Sequence, residues 1–195
     1  MRPPITRATV PRTPIPRTLW APRANSRKAL AMQRLILMRH AKAEASAPGG
    51  DTARPLSERG RRDAAAMGRA LAERGMRPDM ALVSGAQRTR DTWDGVSEHF
   101  GDVELHVSEA LYNAPADVLR RAVEAAEDQA GCLLLIAHNP GVHQLAVEYL
   151  IESAASPAVL DKMSGGFPTG AAAVFSVDVA GRPSYEGWLT PETVA

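Results

Sequence analysis

Three short, uniformly apolar runs constrain this chain more than any other feature: Arg34 to Met38 (RLILM), Met80 to Val83 and Cys132 to Ala137 (CLLLIA). Runs of that length with no polar alternation suit strands covered on both faces, as in a buried parallel sheet. The stretches between them carry helical spacing instead. Ser57 and Glu58 open a helix through about Glu73, with Ala64, Met67, Gly68 and Leu71 at intervals of three to four and Gly75 as the stop. Further helices are expected from Gln87 to Phe100, from Pro115 at the first helical position to Gln129, and from Pro140 at the first helical position to Ile151. Val103 to Val107, Ala171 to Val179 and Tyr185 to Leu189 add strands, the last two forming a hairpin across Ala180 to Ser184, where Gly181 and Pro183 suit a turn. Strands alternating with helices predict an α/β fold: a three-layer α/β/α sandwich with a mostly parallel central sheet and no large cap insertion.

The first thirty residues differ from the rest. They hold six arginines, Lys28, six prolines and no acidic residue, whereas the remaining chain has 16 basic against 22 acidic residues, a net charge of about −6. Proline at that density forbids regular helix and sheet pairing, so residues 1–31 are expected to be a disordered basic extension and residues 32–195 the folded domain. A basic arm for nucleic acid, an organelle transit peptide and residues ahead of a true start at Met32 all fit that composition; the prolines oppose an amphipathic transit helix, and a single aromatic, Trp20, argues against nucleic acid. The start at Met32 is preferred. No run approaches the roughly 18 apolar residues of a membrane span. The lone cysteine, Cys132, allows no internal disulfide, which points to a reducing, cytoplasmic setting.

In open α/β sheets ligands bind beyond the carboxyl ends of the strands. Here those ends are cationic: the first run leads into Arg39-His40, the second into Ser84-Gly85-Ala86-Gln87-Arg88, the third into His138-Asn139-Pro140-Gly141. The last two run straight into helices, whose N-terminal N–H groups favour an anion, and Asn139 is a suitable N-cap. At an effective dielectric of 20, a cation about 4 Å from a unit negative charge contributes roughly 4 kcal/mol before desolvation, so several together can hold a phosphoryl group. Histidine alone of this set can attack phosphorus at neutral pH, which makes His40 the candidate nucleophile. Asp51 and Glu109 are the carboxyl candidates for protonating a leaving group. Met alone, each residue has a plainer reading: a capping contact for His138, an ion pair with Asp91 or Asp94 for Arg88, a turn position for Asp51, a surface charge for Arg54 and for Glu109. Two arginines beside the histidines would repel a metal cation, and no metal or other cofactor is expected.

The stretches LILMRHAKAE at 35–44, DTARPLSERG at 51–60, SGAQRTRDT at 84–92 and AHNPG at 137–141 resemble the histidine phosphatase (phosphoglycerate mutase-like) superfamily, and within it the small phosphohistidine phosphatases of the SixA type. The resemblance implies His40 as the phosphorylated nucleophile, Arg39 and Arg88 as phosphate clamps, His138 as the second histidine on the phosphoryl oxygens and Arg54 as a further phosphate ligand. It implies Asp51 as the proton donor of small members, while Glu109 with Tyr112 resembles the Glu-x-x-Tyr of the mutases, whose glutamate is the acid. Three positions depart from the pattern: Ala41 for the glycine of Arg-His-Gly, Gly85 for the proline of Ser-Pro, and Ala137 for the glycine before the second histidine. Larger members carry a capping insertion, but only about 21 positions separate Arg88 from Glu109. An open pocket would suit a bulky or protein-borne phosphate. The implied activity is a phosphatase acting on a phosphorylated protein; a small-molecule phosphomonoesterase, a mutase and a non-catalytic phosphoryl-binding module are the alternatives.

Overall fold

The computed structural model describes residues 31–194. The expected basic extension therefore lies outside the described residues except for Ala31. From Met32, which is buried, the chain forms a six-stranded sheet. β1 (Arg34–Arg39), β2 (Met80–Ser84), β3 (Glu104–Ser108), β4 (Cys132–Ala137), β5 (Ala172–Val177) and β6 (Pro183–Leu189) are ordered β3-β2-β4-β1-β5-β6. β1, β2, β3 and β4 are mutually parallel; β5 runs antiparallel to β1 and is joined to β6 by the expected hairpin.

Alternation along each central strand builds the two halves of the core, because successive side chains point to opposite faces. Leu35, Leu37, Leu133, Leu135, Ala173 and Phe175 pack on one face with α3 (Ala116–Ala126), α4 (Gly141–Glu152) and α5 (Pro157–Ser164). Ile36, Met38, Leu134, Ile136, Ala172 and Val174 pack on the other with α1 (Glu58–Glu73) and α2 (Gln87–Ser97). This is the three-layer sandwich that the apolar runs predict, closed by the short α6 (Pro191–Val194). No large insertion interrupts it: β3 alone lies between α2 and the 3₁₀ turn at Glu109–Leu111.

Several boundaries move. Pro115 has ψ 165° and is the N-cap of α3 rather than its first helical residue, and that helix stops at Ala126. Pro140 likewise precedes α4, which starts at Gly141, and Asn139 does not cap it; the Asn139 amide donates instead to the Phe167 carbonyl at 3.1 Å. α2 ends at Ser97, short of Phe100. α5 was not expected, although Ser156 at its N-cap and Pro157 in its first turn are ordinary start signals. At α1 the expectation holds to the residue: the Ser57 hydroxyl accepts from the Gly60 N–H at 3.1 Å.

Candidate active site

Parallel pairing delivers the ends of β1 and β4 side by side. The His40 N–H donates to the Ala137 carbonyl at 3.1 Å, and the His40 and His138 ring centroids stand 5.1 Å apart. His40 Nδ1 lies 2.8 Å from the Ala41 carbonyl. A carbonyl only accepts, so Nδ1 carries the proton and Nε2 keeps the lone pair. Arg39 is anchored through its Nη1, which donates to the Phe167 carbonyl at 2.8 Å. Arg88, on the first turn of α2, is almost wholly buried and donates to the backbone carbonyl of Asp51 at 2.7 Å and to its carboxylate at 3.1 Å. His138 Nε2 meets the Ser84 hydroxyl at 2.7 Å. That hydroxyl can donate to the neutral ring, which puts the ring proton on Nδ1.

These residues line one cavity of about 340 Å³, bounded by Arg39, His40, Asp51, Arg54, Arg88 and His138 together with Lys42, Ala43, Asn113, Asn139 and Thr169. The structure thus brings together every candidate except Glu109. Glu109 is mostly exposed, pairs with Arg90 at 3.2 Å and does not line the cavity. Gly85 accounts for part of its placement: a Cβ at that position would come within 2.0 Å of the Glu109 carboxylate. Arg88 pairs with Asp51, not with Asp91 or Asp94. Arg54 lines the cavity but is also engaged, with Asp51 at 2.8 Å and the Glu44 carbonyl at 2.8 Å.

The polar groups around the cavity are under-satisfied in one particular way. Among the described residues, six buried side-chain polar atoms lack a hydrogen-bond partner; four of them, Arg39 Nε, Arg88 Nε, His138 Nδ1 and Asn139 Oδ1, belong to cavity-lining residues, and the other two, Arg121 Nε and Trp188 Nε1, lie elsewhere. Three of the four at the cavity are donors, and unpaired buried donors cost about 1–3 kcal/mol each, so an oxyanion in the cavity would supply acceptors for Arg39, Arg88 and His138, whereas Asn139 Oδ1, itself an acceptor, would need a donor.

Ionisation follows the same geometry. Burial, reinforced by Arg88, Arg39 and Arg54, lowers the His40 pKa to about 4; burial, His40 and Arg88 lower that of His138 to about 3. Both rings are neutral at neutral pH, and His40 Nε2 keeps its lone pair there. Asp51 is held at about 2, chiefly by the hydrogen bond from the Tyr112 hydroxyl and then by Arg54 and Arg88, so it is a carboxylate. Because the folded pKa values of the two histidines lie below the unfolded value of 6.5, the unfolded chain takes up protons first on acidification. Stability is therefore expected to be full above pH 6.5 and to fall as pH drops toward 4, by on the order of 3 kcal/mol from His40 alone. Urea titrations across that window check this; a flat profile would show that the imidazoles are not buried as neutral groups.

The residues least visible in the sequence are those that hold others. Tyr112 packs edge-on against His138 at 5.4 Å, and the Arg88 guanidinium stands 5.7 Å from its ring centre. Asn113 adopts a positive φ of 47° at the cavity wall, and the Phe167 carbonyl ties Arg39 and Asn139 together. Among the described residues no group of three or more His, Cys, Asp or Glu is arranged to hold a metal ion. None of the helices in that part of the chain is long and apolar enough to cross a membrane.

Comparison with known proteins identifies the family. Residues 35–115 match the model of the histidine phosphatase superfamily, branch 1. An uncharacterized protein of Mycobacterium tuberculosis is 33% identical over 141 residues, covering 72% of this chain and 87% of that protein. A crystal structure from Agrobacterium tumefaciens, provisionally assigned as the phosphohistidine phosphatase SixA, superposes with a TM-score of 0.71 at 29% identity over 82% of this chain and 99% of that one. The fold is shared with the protein histidine phosphatase SixA complexed with tungstate, at a TM-score of 0.68 and 21% identity over 83% and 99% of the two chains. With its cationic strand ends, its facing histidines and these relatives, the chain belongs to the histidine phosphatase superfamily, and it is similar there to the SixA type.

Proposed function

We propose that this chain hydrolyses a phosphorylated protein, with phosphohistidine as the favoured bond, through a phosphohistidine intermediate on His40. The observation that carries this reading is the His40 ring itself: Nδ1 fixed on the Ala41 carbonyl, Nε2 free, and the half-buried Arg39 with the buried Arg88 and His138 around it. The phosphoryl group docks among Arg39, Arg54, Arg88 and His138, where the donors neutralise oxygen charge in the transition state. His40 Nε2 forms the P–N bond as the bond to the leaving group breaks. Water then attacks phosphorus, the P–N electron pair returns to Nε2, and the proton of the attacking water ends on orthophosphate. Asp51, a carboxylate in the free site, suits accepting a hydrogen bond from that water better than protonating a leaving group.

The same ionisation favours phosphoramidates over alkyl esters. An alkoxide needs a proton as it leaves, whereas a phosphohistidine whose far ring nitrogen carries a proton departs as neutral imidazole. The two carboxyl groups considered as acids are an ionised Asp51 and a Glu109 paired with Arg90 away from the cavity. Brief exposure to radiolabelled phosphoramidate should leave an acid-labile, base-stable label on the peptide containing His40. Turnover with the label on another residue would overturn the assignment; binding without turnover would support a phosphoryl-binding module instead. Comparing a phosphohistidine protein with sugar phosphates and phosphoglycerate separates the protein phosphatase from a small-molecule phosphomonoesterase or mutase.

A further inference from the structure

Lys42 lines the cavity but has no part in the phosphoryl cradle. Its backbone is firmly placed: the carbonyl accepts from both the N–H and the hydroxyl of Ser57, at 2.9 and 3.0 Å, and a Cβ on Gly60 would lie 2.0 Å from that oxygen. Only the absence of a side chain at position 60 lets the first turn of α1 sit this close. The Lys42 side chain is exposed and forms no ion pair with any described residue.

The charges around the cavity are unequal. Arg39, Lys42, Arg54 and Arg88 face a single carboxylate, Asp51, and the two histidines are neutral, which leaves three positive charges. A phosphoryl dianion answers two of them. The remaining one falls to Lys42, because Arg39, Arg54 and Arg88, less the one charge that Asp51 answers, already match the dianion, and Lys42 stands outside that cradle. At about 340 Å³ the cavity falls within the range that holds whole small ligands, so a phosphoryl group does not fill it. The other lining residues outside the cradle are Asn113, Asn139, Thr169 and Ala43, which offer polar contacts and no hydrophobic slot.

We infer that Lys42 is a specificity residue that selects substrates carrying a second anionic group beside the phosphoryl group. This rests on the phosphatase reading of the site and adds the chemistry of the leaving-group side. The test compares phenyl phosphate with meta-carboxyphenyl phosphate, which differ by one carboxylate. At low ionic strength kcat/KM should favour the carboxylate ester by about fivefold, the upper range for a partly exposed ion pair. Lys42→Ala should abolish that preference, Lys42→Glu should invert it, Lys42→Arg should keep it, and high salt should erase it in the unsubstituted chain. The same ratio in the unsubstituted chain and in Lys42→Ala would overturn the inference while leaving the phosphatase reading intact. Turnover of neither ester would overturn both. A second pair, phosphohistidine peptides with Asp or Asn beside the modified residue, locates the anion: discrimination lost in Lys42→Ala places it on a protein substrate, and discrimination confined to the aryl pair places it on a small molecule.

Discussion

Replacing His40 with alanine is expected to lower kcat for an aryl phosphate by roughly 10⁴- to 10⁶-fold, the scale seen when a nucleophile is removed from an otherwise intact site. In the proposed mechanism the lost group forms the covalent bond, and no neighbour can substitute: the arginines have no usable lone pair, and His138 Nε2 is committed to Ser84. The arginine cradle survives the change, so tungstate should still bind within about tenfold of its original affinity, because the charge-assisted donors to the oxyanion are untouched. That combination separates a nucleophile from a residue needed only for folding. Stability offers a second separation, since the variant no longer buries one neutral imidazole and should lose less stability between pH 6.5 and 4. Normal aryl phosphate turnover by His40→Ala would end the phosphohistidine mechanism.

Arg88→Ala should be nearly as damaging, with kcat/KM down by roughly 10³-fold, shared between a higher KM and a lower kcat. Removing one preorganised donor to a developing oxyanion costs about 10²- to 10³-fold in kcat, and this guanidinium also anchors Asp51 through two contacts. Arg88→Lys should rescue little, because one ammonium cannot serve the Asp51 carbonyl, the Asp51 carboxylate and the phosphoryl group in the geometry of a planar fork. Steady-state kinetics on both variants decides it. A loss below threefold in Arg88→Ala would mean that the arginine holds the fold rather than the substrate.

Much of this was legible along the chain. CLLLIA reads as a strand and is one over the same residues, Cys132–Ala137, and Ser57 caps α1 as its position predicts. Both signals are local: uniform hydrophobicity over strand length, and an oxygen poised before a helical repeat. The cationic strand ends were equally visible, because parallel strands in an α/β sheet present their carboxyl ends together. What stayed hidden depends on residues far apart. The further lowering of the Asp51 pKa comes chiefly from Tyr112, 61 positions away, and the anchoring of Arg39 comes from the Phe167 carbonyl, 128 positions away. The placement of Glu109 depends on Arg90 and on the missing Cβ of Gly85. Proline is ambiguous for a local reason: at the first helical position and at the cap it satisfies the same rule, and for Pro115 the extended ψ shows that it stands at the cap.

The carboxylate seated on Arg54 and Arg88 bears on how each catalytic cycle closes. On the proposed mechanism, orthophosphate departing from those arginines would compete with a rival anion tethered three positions from Arg54 and against Arg88, at the high effective concentration that tethering confers. An enzyme working in that way would shed its product readily and resist being clogged by ambient inorganic phosphate, at some expense in ground-state affinity for the substrates it admits.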